Sequence, residues 1–136
     1  TLKGGAGNDI FYAGGKTTMT GGGGANQFTF AHIGTNRITD FAVSTGNELV
    51  LRNSGFNLGA DQGMGTNTPQ HLLASVFVAN SSGAFTNTGQ RFAYNTTTGA
   101  LSYSANGSGS AGSSVVVLAG HPTLAAGLAG HVFFTA

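Results

Sequence analysis

Residues 4–12 read GGAGNDIFY, and residues 21–29 read GGGGANQFT. Both stretches follow the nonapeptide pattern G-G-x-G-x-D-x-U-x, in which U is a large apolar residue. The first stretch fits at every position, and the second differs only by Asn26 at the position of the Asp. Residues 13–20 between them, AGGKTTMT, form a shortened unit that keeps the glycine pair and an apolar Met19. The chain therefore opens with tandem copies of one short structural unit.

The repeated unit predicts a parallel coil of very short strands. Its Gly-rich half makes a tight turn, because glycine reaches φ > 0 and allows close approach of the backbone. Its x-U-x half makes a strand whose apolar U side chain points inward. Two successive units complete one turn of the coil. We therefore expect Phe11 and Phe28 to stack in one sheet and Met19 to lie in the other.

The loops of the two complete units are expected to form a calcium site. Residues 4–9 and 21–26 are two units apart, so they should lie one above the other on the same edge of the coil. Backbone carbonyls and a carboxylate make a hard-oxygen site, which suits Ca²⁺ because this ion takes about six to eight oxygen ligands. The predicted ligands are the carboxylate of Asp9, the amide oxygen of Asn26, and the carbonyl oxygens of Gly4, Ala6, Gly22 and Gly24.

The residues after the repeats predict strands with one helix. Six segments are predicted as strands, and in the first two apolar and polar side chains alternate, a pattern typical of half-buried strands. These segments are 36–41, 48–53, 90–95, 100–104, 113–120 and 131–134. Residues 54–68 are rich in Gly, Asn and Asp and predict a loop. Thr68 and Pro69, followed by QHLLASVFVA, are typical of the start of a helix.

The fold class that follows is all-β. We predict a short parallel β-roll over residues 1–35, which continues into a β-sandwich-like C-terminal cap over residues 36–136 with one short helix. The two parts are expected to form one continuous domain.

Composition excludes several classes of function. Only 7% of the residues are charged and the formal net charge is +1, so no basic patch is expected to bind nucleic acid. Cysteine is absent, which removes disulfides, thiol catalysis and thiolate metal sites. No apolar run is long enough to predict a membrane span.

The chain carries no residue pattern typical of an active site. GSGSAG at 107–112 has the glycine spacing of a dinucleotide-binding loop, but a strand pattern follows it where a helix is required. The four His residues lack zinc-site spacing, and no paired acids suggest a glycosidase. We therefore predict that the domain is not an enzyme.

The repeats resemble the calcium-binding β-roll repeats of the RTX (repeats-in-toxin) family of bacterial exoproteins. NRITDFAVSTGNELVL at 36–51 is similar to the segment that closes the roll in serralysin-type proteases and alginate epimerases. RFAYNTTTGALSYSANGSGSAGSSVVVLAG at 91–120 is similar to the hairpin of the same C-terminal modules, and LAGHVFFTA at 128–136 resembles the tail of their secretion signal. The resemblance implies a module that stays unfolded in calcium-poor cytosol, passes through a type I secretion channel and folds outside the cell.

The chain departs from the family by replacing acids with amides. Asn or Ser stands where family members tend to carry Asp, at Asn26, Asn36, Asn47, Asn95, Ser104 and Asn106. An amide oxygen still coordinates Ca²⁺, but without the Coulombic attraction of a carboxylate. We expect a retained roll with weakened calcium sites. Asp40 with Asn36 is a candidate for a second, weaker site, and a solvent-facing acid beside a turn is the alternative.

The leading hypothesis is a non-catalytic, calcium-binding C-terminal module of a bacterial extracellular or cell-surface protein. It would support type I secretion and stability, with calcium, the secretion machinery and an upstream catalytic domain as partners. Low charge and an open coil end at residues 1–12 favour a second hypothesis, a self-assembling S-layer or filament subunit that binds copies of itself. The likeness to alginate epimerases allows a third, a carbohydrate-binding module.

Overall fold

The computed structural model describes residues 1–56, 70–127 and 130–135. Within these ranges the chain forms twelve strands and two short 3₁₀ turns, at Val43–Thr45 and Ala74–Val76. The strands are β1 Leu2–Gly5, β2 Ile10–Ala13, β3 Thr18–Gly22, β4 Gln27–Phe30, β5 Asn36–Ile38, β6 Glu48–Arg52, β7 Gln70–His71, β8 Phe77–Asn80, β9 Phe92–Asn95, β10 Ala100–Tyr103, β11 Ser113–Leu118 and β12 Val132–Thr135. Each of the six segments predicted as strands overlaps one of these strands, and the predicted all-β class is confirmed.

Successive strands alternate between two sheets, as a coil requires. Strands β1, β3 and β5 are parallel neighbours in one sheet, and β2, β4 and β6 are parallel neighbours in the other. Strands β11 and β12 add a further turn by pairing parallel with β5 and β6. The result is a parallel β-solenoid of about four turns, which confirms the predicted parallel coil.

The apolar position of each repeat fills the interior of the coil. Phe11 pairs in register with Phe28, and their rings stack with centroids 4.9 Å apart and planes 8° apart. Met19 lies in the opposite sheet and is fully buried. The structure therefore confirms both predicted placements, and removal of these side chains from water supplies the main driving force for winding the coil.

Residues 70–103 extend both sheets beyond the coil. Strands β10 and β9 continue the first sheet from β11 with antiparallel pairing, which confirms the predicted hairpin, and β8 pairs parallel with β9 at the edge. Strand β7 pairs antiparallel with β12 at the edge of the second sheet. The sheets therefore have seven strands, in the order β1-β3-β5-β11-β10-β9-β8, and five strands, in the order β2-β4-β6-β12-β7.

The prediction of a helix after Thr68 is wrong for the part of this segment that the structure describes. Residues 70–80 form β7, a 3₁₀ turn and β8. Thr68, Pro69 and residues 57–67 of the predicted loop lie outside the described residues, as do 128, 129 and 136 of the predicted secretion tail.

Pairing with neighbouring strands explains why this segment is extended. The backbone N–H of Leu72 donates to the carbonyl of Val132 (2.9 Å), and the N–H of Arg91 donates to the carbonyl of Val76 (2.8 Å). A helical stripe would bury Leu72 and Leu73 together, but Leu72 is fully buried while Leu73 is 45% exposed. Tertiary pairing outweighs the local helical signal, because that signal is worth only tenths of a kcal/mol per residue.

Strand β9 carries a buried tyrosine that holds a distant loop. Tyr94 is fully buried, and its hydroxyl donates a hydrogen bond of 2.7 Å to the carbonyl of Pro122. Burial raises the pKa of Tyr94 above its ordinary value of 10.0, because the charged phenolate loses its hydration.

We predict that Tyr94→Phe lowers the free energy of unfolding by about 1 kcal/mol at neutral pH, because one hydrogen bond is lost. The pKa of Tyr94 is raised in the folded state. The stabilisation by its neutral hydroxyl is therefore fully present below the pKa that Tyr94 has in the unfolded chain, and it is lost as the pH rises through the pKa of the folded state. Wild-type stability should therefore fall above about pH 10 more steeply than that of Tyr94→Phe.

Urea denaturation over the alkaline range measures this difference. Tyr12→Phe is the matched control, because Tyr12 is 66% exposed, and it should keep the wild-type alkaline slope. Equal slopes for the wild type and Tyr94→Phe would show that the buried hydroxyl does not couple folding to pH.

Candidate metal centre at the coil edge

The two Gly-rich loops lie one above the other on a single edge of the coil. The N–H of Gly23 donates to the carbonyl of Gly5 (2.8 Å), and the N–H of Gln27 donates to the carbonyl of Asp9 (2.8 Å). The N–H of Ala25 donates to Oδ1 of Asn8 at 2.9 Å. Loop 4–9 and loop 21–26 are therefore in direct contact, which is the arrangement that the predicted calcium site requires.

Glycine is required at two positions where these loops touch. Gly22 and Gly24 have φ of +84° and +94°, in the left-handed region that other residues rarely adopt. A Cβ on Gly22 would collide with the carbonyl oxygen of Gly5, and one on Gly24 would collide with that of Gly7. The GG-x-G spacing thus allows the two backbones to approach this closely.

A ladder of side chains runs along the same edge. Asp9, Asn26 and Asn47 each directly precede a strand of the five-stranded sheet, so they occupy equivalent positions in three successive turns. Oδ1 of Asn26 accepts the N–H of Asp9 (2.9 Å), and Oδ1 of Asn47 accepts the N–H of Asn26 (2.8 Å). Asn26 and Asn47 are almost fully buried. Each amide therefore fastens its own turn to the backbone of the turn before it.

Asp9 is the first side chain of this ladder, and its carboxylate is incompletely satisfied. Its Oδ2 is buried and has no hydrogen-bond partner among the described residues. A Cβ on Gly4 would collide with both this oxygen and the carbonyl oxygen of Gly21, so the two oxygens border the same small space. A buried carboxylate without a partner is costly, and paired carboxylate and carbonyl oxygens are the ligands that Ca²⁺ prefers. These oxygens fit a calcium ion.

The remaining predicted ligands of this site lie on the same two loops. Gly4 and Gly22 belong to the ends of β1 and β3, and Ala6 and Gly24 follow them in the loops. The carbonyl of Gly24 accepts a hydrogen bond from Nδ2 of Asn26 at 3.4 Å. The structure thus brings these four residues to the same edge as Asp9 and Asn26.

Asp40 and Asn36 are placed differently, and the structure does not bring them together. Asn36 is the first residue of β5, and Asp40 lies two residues beyond the end of this strand at Ile38. The two oxygens of Asp40 accept the N–H groups of Gly21 and Gly22, each at 2.8 Å. Asn36 is buried, its Oδ1 accepts the N–H of Thr17 (3.0 Å), and its Nδ2 donates to the carbonyl of Val115 (3.0 Å). Both side chains therefore support neighbouring turns of the coil.

A second carboxylate reaches this edge without having been predicted as a site residue. Glu48 begins β6 in register with Gln27 of β4. It lines an open groove of about 320 Å³, together with Asn8, Asp9, Ile10, Ala25, Asn26, Gln27 and Gly46. Knowledge of the β4–β6 register would have identified Glu48 as a residue of this groove. The sequence hides that register, because the repeat spacing lengthens from 17 residues between Asp9 and Asn26 to 21 between Asn26 and Asn47.

Among the described residues, side chains alone do not form a strong metal site. In the parts that the structure describes, no three His, Cys, Asp or Glu residues group closely enough to hold a metal ion. A calcium ion at Asp9 would therefore depend on amide and carbonyl oxygens for most of its ligands, which gives it fewer charged partners than an acid-rich site.

Comparison of the chain with protein-family models, with curated proteins and with solved structures gave no match. Across the described ranges, none of the helical segments has the length and apolar character needed to cross a membrane.

We predict that Asp40→Ala lowers the free energy of unfolding by about 1–2 kcal/mol, because two charge-assisted hydrogen bonds to Gly21 and Gly22 are lost at a partly exposed site. Asp40→Asn, which keeps one oxygen acceptor and the same shape, should lose roughly half as much. Chemical denaturation in EGTA measures both values without a contribution from calcium. Unchanged stability of Asp40→Ala would mean that this carboxylate does not hold the second turn.

Proposed function

We propose that this chain is a non-catalytic, calcium-binding β-roll module of an extracellular bacterial protein, with its calcium ion between loops 4–9 and 21–26. The observation that carries the proposal is the buried Oδ2 of Asp9, which has no hydrogen-bond partner among the described residues and borders the same space as the carbonyl of Gly21. A cation at this position would remove the cost of burying the unpaired carboxylate oxygen.

Asp9 is the charged ligand in this proposal. The amide oxygen of Asn26 already accepts the N–H of Asp9, but an amide oxygen has two lone pairs and can also bind a cation. The carbonyl oxygens of Gly4, Ala6, Gly22 and Gly24 complete the candidate set. When bound, the ion would neutralise the carboxylate and link the first two turns of the coil.

Calcium in this proposal stabilises the start of the roll more than the rest. The oxygens of Asn47, Asn36 and Asp40 accept backbone N–H groups from neighbouring turns. Those turns are joined by hydrogen bonds that need no metal. Because metal binding and folding are coupled only where the ligands lie, calcium should order residues 1–30 and leave the later strands folded without it.

Export by a type I pathway is the biological role that the RTX resemblance supports. Residues 70–103, which extend both sheets beyond the coil, would then correspond to the sandwich-like cap of the module, and the coil would fold on reaching calcium outside the cell. The absence of cysteine is compatible with such a route. We do not extend the proposal to carbohydrate binding, because the basic residues form no single strip: Lys3 and Arg37 belong to the seven-stranded sheet and Arg52 to the five-stranded sheet.

We predict that Asp9→Asn weakens calcium binding by roughly tenfold or more, because it removes a charge worth about 1–3 kcal/mol while keeping the shape and an oxygen ligand. Asn26→Asp should strengthen binding, since it adds a carboxylate to the same shell. Isothermal titration calorimetry measures both affinities.

Asp40→Asn is the matched control for this titration. It makes the same chemical change on the next turn, where both oxygens accept the backbone N–H groups of Gly21 and Gly22, so it should weaken calcium binding less than Asp9→Asn does. If Asp40→Asn weakened binding while Asp9→Asn did not, the site would lie at Asp40. If the wild type gave no heat of binding, the calcium proposal would be refuted.

A further inference from the structure

The acids of the coil lie along one of its sides. Residues 4–9, 21–26 and 39–47 lead from the seven-stranded sheet to the five-stranded sheet, and we call the side that they form the acidic edge. Every acid of the described ranges lies in these loops or directly after them: Asp9, Asp40 and Glu48. The groove of about 320 Å³ lies on this edge, and Ile10 and Ala25 belong to its lining. The acidic edge therefore combines negative charge with a concave, partly apolar surface.

The opposite side of the coil carries positive charge and an exposed apolar side chain. Residues 14–17, 31–35 and 53–56 form this side, which we call the basic edge. No acid of the described ranges lies on it. Ile33, in the middle loop, is 46% exposed. Three exposed cations lie in the first loop or on the strands on either side of the edge: Lys16, Arg37 and Arg52. The basic edge is therefore opposite in charge to the acidic edge and convex where Ile33 stands exposed.

The charges of the two edges have the same spacing along the coil axis. The first turn carries Asp9 on the acidic edge and Lys16 on the basic edge. The third turn carries Glu48 on the acidic edge and Arg52 on the basic edge. On each edge the two charges are two strand spacings apart, or about 10 Å. The second turn, between them, carries Ile33 on the basic edge. The same three levels thus recur on both sides of the molecule.

We propose that a second copy of this chain docks beside the first, with its basic edge against the acidic edge and the two coil axes parallel. A sideways shift without rotation keeps the levels of the turns matched. Ile33 of the second copy then enters the groove of the first at the level of Ala25. Two pairs of opposite charge face each other on either side of this contact: Lys16 with Asp9, and Arg52 with Glu48.

The apolar contact is expected to supply most of the affinity. Exposed ion pairs contribute little on their own, whereas Ile33 is 46% exposed and Ile10 of the groove is 60% exposed. Docking removes both side chains from water, which is favourable. The charge pairs set the orientation, because a copy rotated to bring two acidic edges together would place like charges in contact.

The charge complementarity favours a second copy over an unrelated partner. An unrelated protein would need to carry one of these surfaces, while this chain carries both at matched levels. The contact uses two different surfaces, so each docked copy still presents one acidic edge and one basic edge. A contact of this kind, repeated by translation, extends into an open row and does not close at a dimer.

Sedimentation of the full 136-residue chain over a wide concentration range tests the proposal. The experiment is done in EGTA, so its outcome does not depend on the calcium site. We expect species that grow beyond a dimer as the concentration rises. Association should weaken when the salt concentration is raised from about 0.02 M to about 0.5 M, because salt screens exposed charges.

Two charge reversals test the pairing of the edges. Glu48→Arg and Arg52→Glu should each weaken self-association roughly tenfold or more, because like charges then face each other at the third turn. In an equimolar mixture of the two variants, unaltered edges can meet each other and altered edges can meet each other, so every contact again pairs opposite charges. The mixture should therefore associate about as strongly as the wild type.

Ile33→Asp and Leu73→Asp form a matched pair of variants for the apolar contact. Leu73 is 45% exposed and lies outside both edges. Ile33→Asp should weaken association roughly tenfold or more, and Leu73→Asp should leave it unchanged. Circular dichroism of each variant verifies that it is folded. A wild type that stays monomeric or stops at a dimer, a mixture of the charge variants that does not associate, or equal weakening by Leu73→Asp would overturn the proposal.

Discussion

A backbone made of Gly-rich turns exposes N–H groups that have no strand partner, and this structure satisfies them with side-chain oxygens from the next turn. Asn26, Asn47 and Asn36 each accept an N–H from the turn before, and Asp40 accepts two. Buried backbone groups must be paired, so the coil depends on these contacts as much as on its apolar interior. They also give the amides at these positions a role that needs no metal, because an amide makes the contact without burying a charge.

The repeat spacing made the first two turns predictable. Where the repeat length is constant, residues one full turn apart in sequence lie on neighbouring strands of the same sheet. The stacking of Phe11 on Phe28 and the placement of Met19 in the opposite sheet could therefore be predicted from the repeat pattern alone. The edge position of Asp9 and Asn26 followed for the same reason. In these turns the tertiary contacts follow the same repeat length as the local sequence, so they do not depend on residues far away in the chain.

Beyond the second turn the same reasoning fails, for physical reasons that can be named. The spacing between equivalent positions of successive turns changes from 17 to 21 residues. The repeat pattern therefore does not predict the strand register that places Glu48 at the groove. The pairing of Leu49 with Val132 joins residues far apart in sequence. The segment 70–80 has helical spacing, but its backbone groups pair with strands that a local pattern does not include. Asp40 and Asn36 suggested a site by residue type, but in the structure their side chains bind different backbone groups.

The way the fourth turn is built has a consequence for how this coil forms. The first three turns use consecutive residues and can wind locally, in the manner of a repeat protein. The fourth requires β11 and β12 to return to β5 and β6 after an excursion of about sixty residues, and closing such a loop carries an entropic cost before any contact compensates it. Folding rate falls as contacts become less local. The slow event in forming this molecule is therefore expected to be the return of its C-terminal strands, after the N-terminal turns have already wound.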